Sequence, residues 1–125
     1  MFRLNNLASC NAIIQLENGQ IAASSYNNTI IWDVLNNLAA PVKTLVYHSV
    51  WVTALALSPD KSLLASGATG STIALWRYKT QSSYFKILTG HTSQVRALLF
   101  VSNQILVSGS WDLSIKTWNV HSGKY

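Results

Sequence analysis

Residues 90–119 read GHTSQVRALLFVSNQILVSGSWDLSIKTWN. His91 leads, four residues on, into the apolar run 95–100, which ends at the turn residues Ser102-Asn103-Gln104. A second run closes on Ser108-Gly109-Ser110, a turn carries Asp112, and a third run ends at Trp118. Short β-branched and aromatic runs parted by turn residues read as strands joined by hairpins. The same order stands upstream in residues 47–77, YHSVWVTALALSPDKSLLASGATGSTIALWR. There His48 precedes the run 52–57, Ser58-Pro59-Asp60-Lys61 makes the turn, Ser66-Gly67 follows, and Trp76 closes the phrase. The histidines stand 28 and 27 residues before their tryptophans, and both serines stand ten before them. A third phrase, Thr29-Ile30-Ile31-Trp32-Asp33, sets Trp32 44 residues before Trp76, which lies 42 before Trp118. Landmarks recurring in one order at one period mark a repeat architecture.

Composition points the same way. The 125 residues suffice for one domain, and 49% of them are hydrophobic, which excludes intrinsic disorder. Only 10% are charged, while Asn, Ser and Thr supply 35 residues. Short uncharged polar groups suit turns and strand faces, whereas surface helices favour Glu, Lys and Gln. We therefore expect an all-β chain without helix. Its strands are placed at 10–16, 21–25, 29–34 and 42–47, then 50–57, 63–68, 72–78 and 84–89, then 94–101, 105–110 and 114–120. Asn18-Gly19 marks the first hairpin.

The net charge is +5. It comes from dispersed groups (Arg3, Lys43, Lys61, Arg77, Lys79, Lys86, Arg96, Lys116 and Lys124) that never form a run, which argues against a nucleic-acid surface. A single cysteine, Cys10, excludes an intramolecular disulfide and favours a reducing compartment, the cytoplasm or the nucleus. No apolar run reaches the ~18 residues of a membrane-spanning helix. Leu7-Ala8-Ser9-Cys10 imitates a lipoprotein cleavage box without the apolar stretch such a box needs, so Cys10 is read as a strand residue.

Gly90-His91, Ser108-Gly109-Ser110, Asp112 and Trp118, with Trp32-Asp33 in the first unit, resemble the WD-repeat family of β-propellers. The resemblance runs from about Phe2 to Tyr125 and divides the chain into units near 5–47, 48–90 and 91–125 of one domain. It implies an all-β propeller segment of three four-stranded antiparallel blades, the last incomplete and the ring not closed by this chain alone. The second unit departs at Gly70, where the family has an acid. The first departs at Asn6, for the histidine, and at Asn27, for the aspartate once one residue is deleted. The resemblance also implies that His91, Ser108, Asp112 and Trp118 form a buried hydrogen-bond chain within one blade. His48, Ser66 and Trp76 are the second unit's counterparts, and Trp32 the first's.

Histidine, serine and aspartate together also invite a catalytic reading. No Gly-x-Ser-x-Gly elbow is present, and the serine lies mid-strand in a repeated phrase, so no enzyme is expected. The histidines, one cysteine and four acids form no metal-ligand spacing. Residues 67–72 lack the lysine and helix of a phosphate loop. No cofactor is expected. In WD-repeat proteins the loops carrying the histidine and the aspartate share one face. Carried over, that face holds Ser9, Asn11, Trp51, Thr53, Gln94 and Arg96, with Tyr26, Thr69 and Trp111 from the turns. Trp51, Trp111, Tyr26 and Arg96 are residue types that dominate interface energies. Arg96 beside aromatics suits an acidic or phosphorylated peptide. The expected function is a protein-interaction scaffold, with nucleic-acid recognition through net charge as the alternative. A ring completed by further blades or by self-association is expected, because each blade's apolar faces need neighbours; Phe2-Arg3-Leu4 reads as the outer strand of a preceding blade.

Overall fold

A computed structural model describes Leu4 and residues 7–36 and 40–125. Asn6, Asn37 and the Phe2-Arg3 part of the expected outer strand lie outside the described residues. Eleven strands form three antiparallel sheets, and no helix occurs among the described residues. The first blade joins β1 (Ile13–Gln15), β2 (Gln20–Ser25), β3 (Asn28–Asp33) and β4 (Lys43–Val46) in that order. The second joins β5 (Val52–Leu57), β6 (Leu64–Ala68), β7 (Ile73–Trp76) and β8 (Tyr84–Leu88). The third has β9 (Val95–Phe100), β10 (Ile105–Ser110) and β11 (Ile115–Asn119). The all-β expectation holds, as does the open ring of four, four and three strands.

The blades stack face to face. β5 packs against β2 of the first blade and against β9 of the third. One core unites Leu16, Ile31 and Leu45 with Val52, Leu64 and Trp76. A second core unites Ile73, Leu75 and Leu88 with Val95, Leu106 and Trp118. Each of these tryptophans thus fills the seam toward the preceding blade. Coverage explains the burial patterns. The central blade, apolar neighbours on both faces, is buried along all of β6 and β7, while β11 reads IKTWN with only Trp118 buried. Alternation is what a sheet with one wet face requires.

Two local features depart from the expected strands. The first strand starts at Ile13, not at residue 10, and Cys10 is exposed outside the ladder. The Ser24 hydroxyl accepts the Asn11 and Ala12 amides at 2.9 and 3.0 Å, and so takes donors a ladder would have used. The deletion in the first unit falls in its β2–β3 turn. Ser25 pairs with Asn28 across two residues, with Tyr26 at φ 53°, while the other turns span three residues and bring Ser71 and Leu113 to φ 70° and 69°.

Gly67 lies at the second seam, where a Cβ would stand 2.6 Å from Val95 Cγ1 and 3.3 Å from Leu98 Cδ1. At Gly109, its counterpart, a Cβ would meet nothing nearer than Ala97 at 3.7 Å. Overpacking a tight core costs about 1–3 kcal/mol. Gly67→Ala is therefore expected to lower the thermal midpoint clearly, and Gly109→Ala little, by calorimetry on both variants.

Candidate binding face and the clamps beneath it

The third blade brings four of the expected residues together. Trp118 Nε1 donates to Ser108 Oγ at 2.7 Å, and Ser108 Oγ lies 2.6 Å from His91 Nε2. The serine hydroxyl accepts from the indole and has one hydrogen to give, which goes to Nε2. That leaves the ring's other proton on Nδ1, which donates to Asp112 Oδ2 at 2.6 Å. Oδ2 also accepts the Thr92 amide at 3.1 Å, and Oδ1 accepts the Ser114 amide and hydroxyl at 2.9 and 2.5 Å. The Ser114 hydroxyl, then the His91 ring and the two amides, hold the Asp112 carboxyl well below the usual range despite an opposing push from burial. The chain of bonds ties the loop before β9 to the middle of β10 and the end of β11.

The second blade has the same chain without its acid. Trp76 Nε1 and His48 Nε2 each lie 2.9 Å from Ser66 Oγ. Nε2 also lies 3.2 Å from the Ser66 carbonyl, which only accepts, so with no acid at Nδ1 the ring proton can sit on either nitrogen. Gly70 offers no carboxylate, and burial pushes the His48 ring down to about 4. The first blade loses a further member. Ile21 pairs with Trp32 as Leu64 does with Trp76, which sets Ala23 where Ser66 and Ser108 stand. The buried Trp32 Nε1 has no acceptor among the described residues.

These clamps support one face. In every blade the turn residue donates its amide to the carbonyl of the loop residue: Tyr26 to Ser9 at 3.1 Å, Thr69 to Trp51 at 2.9 Å, Trp111 to Gln94 at 3.0 Å. Trp111 is 60% exposed and Trp51 47%, so about half or more of each residue meets solvent. Tyr26 packs edge-on to Trp51 with centroids 6.1 Å apart. The Arg96 guanidinium stands 5.0 Å over the Trp111 ring. Gln94 is half-buried, and Asn11 and Arg96 are exposed. Thr53 does not join this surface. It is buried, and its hydroxyl donates to the Val95 carbonyl of the next blade, so it staples the seam. Its partner lies 42 residues away, on a strand that only the stacking brings near.

Two hollows had no direct sequence signal. A cleft of about 470 Å³ opens at the opposite end of the second and third blades, lined by Asp60, Arg77, Lys79, Phe85, Asn103 and His121. A pocket of about 260 Å³ lies beside His48, lined by Tyr47, Ser49, Val50, Gly70 and Thr72. The second unit's departure at Gly70 removes the acid, and the space beside His48 follows from the missing side chain.

Comparison with known proteins settles the family. The model of the WD domain, G-beta repeat, matches residues 39–77 and 82–119, more than half of the chain. The chain belongs to the WD-repeat family. Each match starts with the outer strand of one blade and ends at the third strand of the next, so the WD repeat is shifted one strand from the sheets. The chain is similar to the 66 kDa stress protein of Physarum polycephalum, 30% identical over 87% of this chain and 18% of that protein. It is also similar to actin-interacting protein 1 of Drosophila melanogaster, 27% identical over 82% of this chain and 17% of that protein. The solved WD40 repeats of RRP9 superimpose with a TM-score of 0.87 at 26% identity, over 97% of this chain and 38% of that one. The chain spans less than a third of the curated relatives it matches.

Asp112→Ala strands the donors that converge on its carboxylate, and is expected to lower the calorimetric midpoint more than Gly70→Ala does. A pH series tests the second clamp. His48 is neutral in the fold, so its contribution is fully present above the unfolded value near 6.5 and is lost as pH falls toward 4. The loss amounts to about 3 kcal/mol over that window. Urea unfolding is expected to show that slope, flattened in His48→Gln, while the Asp112 contribution disappears only at lower pH.

Proposed function

We propose that the chain is a non-enzymatic, protein-binding segment of a WD-repeat propeller that holds a partner polypeptide on its histidine-side face. The observation that carries this reading is the exposure of Trp51 and Trp111 on loops fixed by the same amide-to-carbonyl bond in each blade. Rigid, solvent-facing aromatics bind with little ordering cost, and such residues anchor interfaces. Arg96 over Trp111 adds a fixed cation, which favours an acidic or phosphorylated stretch of the partner. The similarity to a protein named for its interaction with actin is compatible with this class of function without naming the partner.

A catalytic role for His91, Ser108 and Asp112 has little support. Ser108 is fully buried, and its hydroxyl is engaged by both an indole and an imidazole. A nucleophile must meet its substrate. The open side of the third blade supports a larger assembly: Ile115 is 78% exposed and Leu113 97%, beside exposed Leu99 and Val101. We read this apolar side as the seat of a further blade of the same kind. The single exposed thiol, Cys10, supports a reducing location in the cytoplasm or nucleus.

An array of acidic and phosphorylated peptides, probed with the purified chain, tests the reading. Binders are expected to lose about tenfold or more in affinity with Trp111→Ala or Trp51→Ala, and to weaken only modestly with added salt. Tight binding to labelled DNA or RNA that falls steeply with salt, unaffected by both substitutions, would favour the nucleic-acid alternative.

A further inference from the structure

The pocket beside His48 is the place of an absent carboxylate. In the third blade, Asp112 receives His91 Nδ1, the Thr92 amide, and the amide and hydroxyl of Ser114. Each of those donors has a counterpart in the second blade: His48 and Ser49 stand one residue farther from Trp76 than His91 and Thr92 do from Trp118, Thr72 stands at the offset of Ser114, and all three line the pocket. Thr72 carries a hydroxyl as Ser114 does. The acceptor alone is missing, because Gly70 has no side chain.

His48 is 5% exposed, and its Nε2 is committed to Ser66. Nε2 faces both the hydroxyl and the carbonyl of Ser66, while Nδ1 has no partner among the described residues. A carboxylate there would hold the ring proton on Nδ1, with Ser66 donating to Nε2, and would make the charge-assisted bond that Asp112 makes to His91. Tyr47 closes one wall, its ring edge-on to the imidazole at 5.1 Å. We propose that this pocket binds a carboxylate, which takes the position that the Asp112 side chain fills one blade on. The ligand class is a carboxylic acid anion, from a small acid or from an Asp or Glu side chain of a partner. The pocket is lined by residues next to Trp51 and Thr69 of the aromatic face, but the acetate test below reads it apart from the partner proposed above.

Nitrogen-15 and proton NMR of the His48 ring in the intact chain tests this, with sodium acetate as the small probe and sodium chloride at equal ionic strength as control. Acetyl-Gly-Asp-Gly-amide, against its Asn counterpart, tests the side-chain source. Acetate is expected to shift the Nδ1 resonance saturably, where chloride does not. A stronger response to the Asp peptide than to acetate assigns the natural source to a polypeptide, and the reverse to a small acid.

Gly70→Asp supplies the carboxylate from within. A Cβ there would lie 3.0 Å from Val50 Cγ2, so the variant is combined with Val50→Ser, the residue type of Ser93 in the third blade. This double variant is expected to bind acetate at least about tenfold more weakly than Val50→Ser alone. Thr72→Val, which keeps the shape and removes one hydroxyl, is expected to weaken acetate about tenfold. The proposal is overturned if no probe gives a saturable shift, or if the shift is unchanged in both the Gly70→Asp/Val50→Ser and Thr72→Val proteins.

Discussion

A serine hydroxyl has one hydrogen, and the order within a blade depends on where it goes. Ser108 sits between an indole that can only donate and an imidazole that can do either. The carboxylate of Asp112 can only accept, so Nδ1 donates to it, Nε2 is left to accept the serine hydrogen, and Ser108 accepts the indole. The direction of every bond is thus set from the acid inward. The second blade has no acid to set it, and His48 Nε2 lies against both the hydroxyl and the carbonyl of Ser66.

The three blades form a series of decreasing completeness. The third has tryptophan, serine, histidine and aspartate; the second lacks the acid; the first has Trp32 with Ala23 in place of the serine. All three keep the sheet, the indole in the interior and the amide-to-carbonyl bond from turn to loop. The polar chain is therefore not what makes a blade a sheet. It fixes the loop ahead of the blade onto the sheet already formed.

The landmarks legible in sequence were those whose structural reason is local. Ser108 and Trp118 meet because β10 and β11 are joined by one short turn, and Ser66 and Trp76 meet for the same reason. Their spacing therefore states their geometry. Relations across a seam left no such trace. Thr53 falls in the same class as Arg96 by offset, but stacking buries it under the carbonyl of Val95 while Arg96 stays wet. Gly67 and Gly109 likewise share a position in the repeat, and only the neighbour differs: Val95 leans on the first, and no further blade lies over the second. Cys10 left the expected strand because a hydroxyl from β2 took the amides beside it.

In the second and third blades coverage and polar clamping complement each other, whereas the first has one described core and keeps only the indole. The central blade has apolar cores on both faces, and its strands β6 and β7 are buried throughout. Burial of that area stabilises by roughly 25 cal/mol per Å², so this blade tolerates an open end to its hydrogen-bond chain. The third blade has one described core, with Leu113 and Ile115 in solvent, and it carries the complete chain. A blade held on both sides does not need its acid to stay assembled, and that freedom is what leaves a donor-lined hollow in the middle of the stack.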